Sequence, residues 1–306
     1  MQATARNHLL EDAFWLLGGN VINAGCQLVT TLLLASILPA SSWGGIAVII
    51  SYALIMETLF STKNWQLATI LALTLLPMAM AMMNLPDSWY LAGSIYSISI
   101  LFRFSGSAGA ILRLSNKYLW QSLHASSLGA TRLLAVALVL PQTHSPTIIL
   151  TCLAIIESIW HVGLTAAATA ILKQKGVKIR YLMRNTWKRL HHQDWKLVAT
   201  SHCTNLSKVA TRELDVLFVS AFSSPEIAGV VKVYKSILRA LLILSDPLAN
   251  AAFPRFINFQ KSKDPLGKIT KLLRKLIFLG ATISTAALSV LTLLIYAFWE
   301  DYTPLP

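Results

Sequence analysis

Charged residues are scarce in this sequence, and acidic residues are scarcer than basic ones. Only 13% of the 306 residues are charged and 55% are hydrophobic, while 26 Lys and Arg stand against 13 Asp and Glu. This composition lies far from that of an average soluble domain. A net charge of +13 would suggest a nucleic-acid partner in a soluble protein. Here we interpret most of it as charge that faces anionic lipid, and we expect no nucleic acid.

Motifs for enzymatic chemistry are also missing. The sequence has no convincing Walker sequence, zinc-protease His-Glu signature or nucleophile elbow, so we expect neither an enzyme nor ATP hydrolysis by this chain. Cys26, Cys152 and Cys203 lack metal or disulfide spacing, and the adjacent His191 and His192 have no third ligand. We therefore expect no metal site and no cofactor. No stretch has the form of a cleaved signal, so the first apolar segment is expected to direct its own insertion.

Long apolar segments dominate the remaining sequence. Nine of them have about the 20 residues that a helix needs to cross the hydrocarbon core of a bilayer. They predict an all-α, polytopic transmembrane helix bundle: a six-helix N-terminal bundle at 1–172, a basic amphipathic linker at 173–196 and a partial C-terminal bundle of three helices at 197–306. The predicted segments are Ala13–Leu38, Gly44–Thr62, Leu67–Asn84, Tyr90–Leu112, Ser122–Leu140, Thr147–Leu172, Leu197–Ala221, Ala228–Phe253 and Leu272–Phe298.

The positions of Lys and Arg predict how these segments are oriented. Most basic residues fall at the N-terminus or in every second loop, above all in 173–196 and 255–275. Membrane insertion retains Lys and Arg on the cytoplasmic side, so we expect a cytoplasmic N-terminus. All tryptophans except Trp160 lie at or near segment ends, as in an aromatic belt. The alternate loops without Lys or Arg are 39–43, 85–89, 141–146, 222–227 and 299–306.

A faint internal repeat relates the two parts of the chain. Identical residues recur at one constant separation, in the first two segments of each part, and each repeated glycine follows a turn that contains Pro and Ser. These matches favour a duplicated transporter architecture. The pairs are Asn20 with Asn205, Gly44 with Gly229, Ser51 with Ser236 and Leu59 with Leu244.

Ionisable residues lie inside the predicted segments. Each costs on the order of 3 kcal/mol at the centre of a lone helix, so these residues must face one another or water, and they predict a polar cavity. The basic ones are Arg103, Arg132, Lys208, Arg212, Lys232, Lys235 and Arg239, and the acidic ones are Glu57, Glu157, Glu213, Asp215 and Asp246.

Helical spacing indicates which faces line this cavity. Two stripes stand out, one formed by Lys208, Arg212 and Asp215 and one formed by Lys232, Lys235 and Arg239. Because three cations on one face have one nearby acid, we interpret the cavity as a site for an anion, with phosphate or pyrophosphate favoured.

Other interpretations of the same charges stay open. Glu213, Asp215 and Asp246 each have a basic residue within helical reach, so they can equally form buried ion pairs that fix helix register. Glu157 and His161 follow one another at i, i+4, which fits either a proton relay or a packed polar pair.

Several short stretches together look like the signature of a known family. They are Arg212-Glu-Leu-Asp215-Val-Leu-Phe-Val, Ser224-Pro-Glu-Ile-Ala-Gly229, Asp246-Pro-Leu and Phe253-Pro-Arg255, with further matches at Leu38-Pro39, Phe60–Gln66 and Gly109–Arg113. They resemble the polysaccharide-export flippases, which transport O-antigen and related lipid-linked oligosaccharides within the multidrug/oligosaccharidyl-lipid/polysaccharide superfamily.

The resemblance implies two six-helix bundles around a cationic cavity that opens alternately to the two faces of a bacterial inner membrane. The cargo would be a glycan on undecaprenyl pyrophosphate, and the seven basic residues above would hold its pyrophosphate or acidic sugars. Expected partners are the lipid bilayer, the lipid-linked oligosaccharide, and either polysaccharide polymerase machinery or a second copy of the chain.

The number of segments departs from the family pattern. Family members usually have twelve or more, so this chain is expected to be truncated or to need another subunit. The alternatives are a cation-coupled multidrug exporter of the same superfamily, and a non-transporting remnant or structural membrane subunit.

Overall fold

The chain folds into helices throughout the part that the structure describes. The structure is a computed structural model and describes residues 2–60, 65–83, 85–102, 106–115, 117–177 and 195–242, with scattered positions between 266 and 289. No strand occurs among these residues, which confirms the all-α prediction. The α-helices are α1 (Gln2–Ile37), α2 (Ala40–Phe60), α3 (Trp65–Met82), α4 (Tyr90–Ile98), α5 (Gly106–Leu114), α6 (Tyr118–Val139), α7 (Pro146–Gln174), α8 (Trp195–Phe222) and α9 (Pro225–Leu242).

Four of these helices are long and apolar enough to cross a membrane by length and composition. The apolar stretch of α3, Thr69–Met82, is shorter. The predicted total of nine segments stays a prediction, because most of Leu272–Phe298 lies outside the described residues, as does most of the linker 173–196. The four long stretches are Gly18–Ile37, Ala40–Leu59, Tyr118–Val139 and Pro146–Gln174.

The predicted segment Tyr90–Leu112 is not one continuous helix. α4 ends at Ile98, a short 3-10 turn follows, and α5 begins at Gly106. The hydroxyl of Ser99 donates a hydrogen bond to the carbonyl oxygen of Tyr96 at 2.6 Å. Such local side-chain bonds compete with the helical backbone pattern, and glycine has a low helix propensity.

α2 lies at the centre of the bundle. Ile46, Ala47 and Val48 are fully buried, and α2 contacts α3, α4, α7, α8 and α9. A helix that is apolar all round is expected to be buried. The hydroxyl of Tyr52 donates to the carbonyl oxygen of Ala72 in α3 at 2.7 Å, which satisfies a polar group in this apolar setting.

α1 and α6 lie side by side and approach closely through small residues. A Cβ atom on Gly19 would lie 2.4 Å from the Oγ of Ser122, and one on Gly129 would lie 2.9 Å from the Cα of Asn23. These positions therefore need glycine. Small residues at close helix contacts are typical of helices that pack within membranes.

The two parts of the chain meet where the N-terminal ends of α2 and α9 touch. A Cβ atom on Gly44 would lie 1.9 Å from the carbonyl oxygen of Pro225, and one on Gly229 would lie 3.0 Å from the Cα of Gly44. The indole nitrogen of Trp43 donates to the carbonyl oxygen of Gly229 at 2.9 Å. α1 also contacts α9, and α2 also contacts α8. The repeat-related glycines thus meet each other, and the flanking contacts are those of a two-fold arrangement of the repeat.

Three of the loops without basic residues lie together at one end of the bundle. At the end where α2 meets α9, the ring of Trp89 lies so close to Gly45 that a Cβ atom there would be 2.6 Å from it. At the opposite end, the amino group of Lys175 donates to the hydroxyl of Ser115 at 2.9 Å. Three loops without basic residues, 39–43, 85–89 and 222–227, therefore lie at one end of the bundle.

Candidate functional site

A cavity of about 340 Å³ lies between the two parts of the chain. Side chains of α1, α2, α4, α6, α7, α8 and α9 line it, and Trp43 is among them, so it adjoins the contact between α2 and α9. This volume lies at the lower end of the range of about 300–1,000 Å³ that is typical of small-molecule sites. The ionisable lining residues are Glu57, Tyr96, Arg132, Glu157, His161, Glu213, Lys232 and Arg239.

The first polar cluster of the cavity surrounds Glu157 of α7. Arg132 of α6 donates from Nη2 to Oε1 of Glu157 at 2.5 Å, and the hydroxyl of Tyr96 in α4 lies 3.1 and 3.2 Å from the two carboxylate oxygens. The side chain of Glu157 is 5% exposed and that of Arg132 is 17% exposed. A carboxylate at this depth requires such partners. The Nε of Arg132 is buried without a hydrogen-bond partner among the described residues, so the guanidinium keeps unused donor capacity.

The second polar cluster surrounds Glu213 of α8. Lys232 of α9 forms an ion pair with its Oε2, and Ser51 of α2 donates to the same oxygen at 2.7 Å. The amino group of Lys232 also donates to the hydroxyl of Ser51 at 3.0 Å. The side chains of Glu213 and Lys232 are 6% and 15% exposed. Three helices from both parts of the chain thus converge on one buried charge pair.

The structure brings together most of the described residues that the sequence singles out. Arg132, Lys232 and Arg239 line the cavity with Glu57, Glu157, His161 and Glu213. The described lining therefore holds three cations and three carboxylates. This balance differs from the cationic cavity expected from the sequence, because the other basic residues predicted there lie elsewhere or outside the described part of the chain.

Four of the remaining predicted residues are absent from the described lining of the cavity. Lys208 and Arg212 are exposed, and Asp215 is half exposed and forms an ion pair with Lys235. This stripe of α8 faces away from the cavity because the buried side of the helix carries Glu213, Val216 and Ser220. The predicted site residues Arg103 and Asp246 lie outside the part of the chain that the structure describes.

Three polar residues at the site carry no signal of their own in the sequence. Tyr96 holds Glu157, Ser51 holds Glu213, and Thr31 accepts a hydrogen bond from Ser236 at 3.4 Å. Isolated Tyr, Ser and Thr are common in apolar helices. The repeat match of Ser51 with Ser236 is the single pattern that marks any of these positions.

Comparison with protein-family models, with curated proteins and with solved structures found no match. The ligand is therefore inferred from the residues that line the cavity. Arg and Lys on facing helices can hold anionic oxygens through charge-assisted hydrogen bonds, provided that their ion pairs with the carboxylates are first broken.

Proposed function

We propose that this protein is a multi-pass protein of a bacterial inner membrane that moves a lipid-linked oligosaccharide from the inner to the outer leaflet. The cargo is a glycan on undecaprenyl pyrophosphate, as the resemblance to polysaccharide-export flippases implies. Four helices of sufficient length and apolarity support placement in a membrane. The position of three loops without basic residues at one end of the bundle supports a cytoplasmic N-terminus, since the alternate loops carry the Lys and Arg.

The observation that carries this proposal is the pair of buried ion clusters around one cavity between the two parts of the chain. A buried ion pair stabilises a fold no better than apolar residues of similar volume, so its presence at a cavity favours a role in binding. Ionisable residues inside membrane segments mark substrate pathways by default. Arg132 and Lys232 belong to different parts of the chain and line the same cavity, and Arg and Lys are the residues that bind the oxygens of a diphosphate.

The contact of α2 with α9 fits transport by alternating access. Trp43 lines the cavity and lies with Gly44, Pro225 and Gly229 in the contact of α2 with α9, at the end that carries loops without basic residues. In the proposed cycle this end faces the outside, and the N-terminal ends of α2 and α9 separate to release cargo. The repeat relation between the two helices supports such a movement of one part against the other.

Complementation of a bacterium that lacks its own oligosaccharide flippase tests the proposal. Surface polysaccharide and membrane expression are scored together in a panel of hosts with different glycans. We expect the chain to restore polysaccharide in at least one host, and the Arg132→Gln/Arg239→Gln variant to lose this at equal expression. The matched control is Lys117→Gln/Lys173→Gln, which removes two exposed cations outside the cavity. Failure of the unaltered chain in every host, despite stable insertion, would contradict the proposal.

The glutamates of the lining favour a second candidate function, a cation-coupled exporter of small cationic compounds. Carboxylates are the groups expected to receive such cargo, and three of them line the cavity. Two of them, Glu157 and Glu213, already hold basic partners, which supports the oligosaccharide flippase over the exporter. Resistance of drug-sensitive bacteria to cationic compounds, without restored polysaccharide in the assay above, would reverse this order.

A further inference from the structure

The described lining of the cavity offers an anion no excess positive charge. Arg132 is held by Glu157 and Lys232 by Glu213, and both carboxylates are almost fully buried. The Nη2 of Arg132 and the Nζ of Lys232 each contact a carboxylate oxygen. An anion that bound to either nitrogen would therefore lie directly beside a carboxylate. Like charges at such short range repel strongly where water is excluded. The cations must first lose their carboxylate partners before they can bind an anion well.

Relative movement of the two parts of the chain does not release these cations. Arg132 and Glu157 lie on α6 and α7, both in the first part, whereas Lys232 and Glu213 lie on α8 and α9, both in the second. Each ion pair therefore stays within one part when the parts separate. A change in the carboxylates themselves is required.

We propose that an anionic diphosphate and protons bind this cavity together, with protonation of Glu157 and Glu213 transferring Arg132 and Lys232 to the anion. Each carboxylate takes up one proton from solvent, and the cation it held keeps its charge and turns to the anionic oxygens. The protons enter with the anion and leave with it. This inference rests on the proposed function, because it takes the diphosphate to be the pyrophosphate of the lipid carrier.

The surroundings of Glu157 suit this exchange. Once protonated, its carbonyl oxygen still accepts from Tyr96 of α4, while Arg132 of α6 gains an anion for donors that include its unpartnered Nε. His161 on the same helix and Glu57 of α2 also face the cavity. A proton on either of these two residues makes the lining more positive, so both act in the same direction as Glu157.

The surroundings of Glu213 are equally suited. A protonated Glu213 keeps its hydrogen bond from Ser51, which also remains a partner for Lys232. Arg239 and Lys235 of α9 are the cationic neighbours of Lys232. Lys235 keeps its ion pair with Asp215, so neutralising Glu213 leaves the charge of Lys232 without its carboxylate partner beside Arg239. The anion can then offset that charge.

Proton uptake on anion binding is the measurement that tests this proposal. The purified full chain is titrated with methanedisulfonate, an analogue of pyrophosphate that stays ionised and so adds no proton exchange of its own. Calorimetry in buffers of different ionisation enthalpy gives the protons taken up per anion bound. We expect uptake of one to two protons. For each proton taken up, the affinity for methanedisulfonate should weaken about tenfold for every unit by which the pH is raised.

The Glu157→Gln/Glu213→Gln variant mimics the protonated state. We expect it to bind methanedisulfonate more tightly than the unaltered chain at neutral pH, and to lose the uptake of one to two protons that Glu157 and Glu213 contribute. Asp87→Asn, which removes an exposed carboxylate outside the cavity, should keep normal uptake. If the double variant does not fold, each single variant should remove about half of the uptake.

The outcomes separate this inference from the proposed function. Anion binding without proton uptake by the unaltered chain would overturn the inference and leave the anion site in place. Absence of binding by both the unaltered chain and the folded Gln variant would overturn both. Competition by undecaprenyl pyrophosphate at much lower concentration than inorganic pyrophosphate would support the lipid carrier as the source of the diphosphate, and equal competition would contradict it.

Discussion

The contact between α2 and α9 predicts that one added methyl group at Gly44 destabilises the protein strongly. A Cβ atom there would lie 1.9 Å from the carbonyl oxygen and 2.3 Å from the carbonyl carbon of Pro225, and both are backbone atoms. To reach an ordinary contact, the helix ends must move apart by roughly 1.5 Å, which also breaks the hydrogen bond from Trp43 to Gly229. Overpacking costs about 1–3 kcal/mol and a lost hydrogen bond about 1 kcal/mol. We expect Gly44→Ala to lower the free energy of unfolding by about 2–4 kcal/mol.

Gly163→Ala is the matched control for this change. A Cβ atom at Gly163 in α7 meets nothing within 4 Å, and alanine has the better helix propensity by about 1 kcal/mol. Both variants are purified in the same detergent, and their thermal unfolding is followed by circular dichroism. We expect Gly44→Ala to unfold at a clearly lower temperature than the unaltered protein, and Gly163→Ala at the same or a higher one. Equal unfolding temperatures of the two variants would refute the close approach of α2 and α9.

Three further changes test the polar contacts by the same thermal assay. Arg132→Met should destabilise the protein by about 3–5 kcal/mol because it leaves Glu157 buried without its cation, and adding Glu157→Met should recover most of this loss. A double-mutant cycle without coupling energy would count against the pair. Lys235→Ala should lower the free energy of unfolding by less than about 1 kcal/mol, because its partner Asp215 is half exposed. A loss as large as that of Arg132→Met would contradict this. Trp43→Phe keeps an aromatic ring but loses the hydrogen bond to α9, so about 1 kcal/mol is expected, and unchanged stability would speak against that bond.

Helix positions could be predicted from the sequence wherever a long apolar run has clear ends. The segment predicted at Thr147–Leu172 forms a helix at Pro146–Gln174, and Pro146 takes the first helical position that suits proline. The break after Ile98 could not be predicted in the same way. It involves a local hydrogen bond from Ser99, and a serine in an apolar run has no pattern that distinguishes such a bond from ordinary packing.

The membership of the cavity could be predicted only in part. The high cost of isolated charges within apolar segments correctly indicates that Arg132, Glu157 and Lys232 need polar partners. The sequence spacing of α8 does not reveal which of its faces is covered. That face is set by packing against α2 and α9, which buries Glu213 and leaves Lys208 exposed.

The charge balance of the described cavity lining is likewise set by packing between helices, and sequence spacing does not reveal it. A count of ionisable residues over all apolar segments includes exposed cations such as Lys208, so it overstates the positive charge of the lining. Pairings between helices, such as Lys232 with Glu213 and Arg132 with Glu157, depend on distances across the bundle. Helical periodicity places residues on a face and leaves their partners on other helices undetermined.

Transfer of a lipid-linked oligosaccharide by the purified chain tests the central proposal most directly. Liposomes that contain the chain and a fluorescent undecaprenyl-pyrophosphate oligosaccharide are treated with a membrane-impermeant quencher, and the fraction that changes leaflet is followed over time. The account predicts transfer by the unaltered chain, its loss in Arg132→Gln/Lys232→Gln, and normal transfer in Lys117→Gln/Lys173→Gln. Transfer no faster than in empty liposomes, or an unchanged rate in the cavity variant, would contradict it.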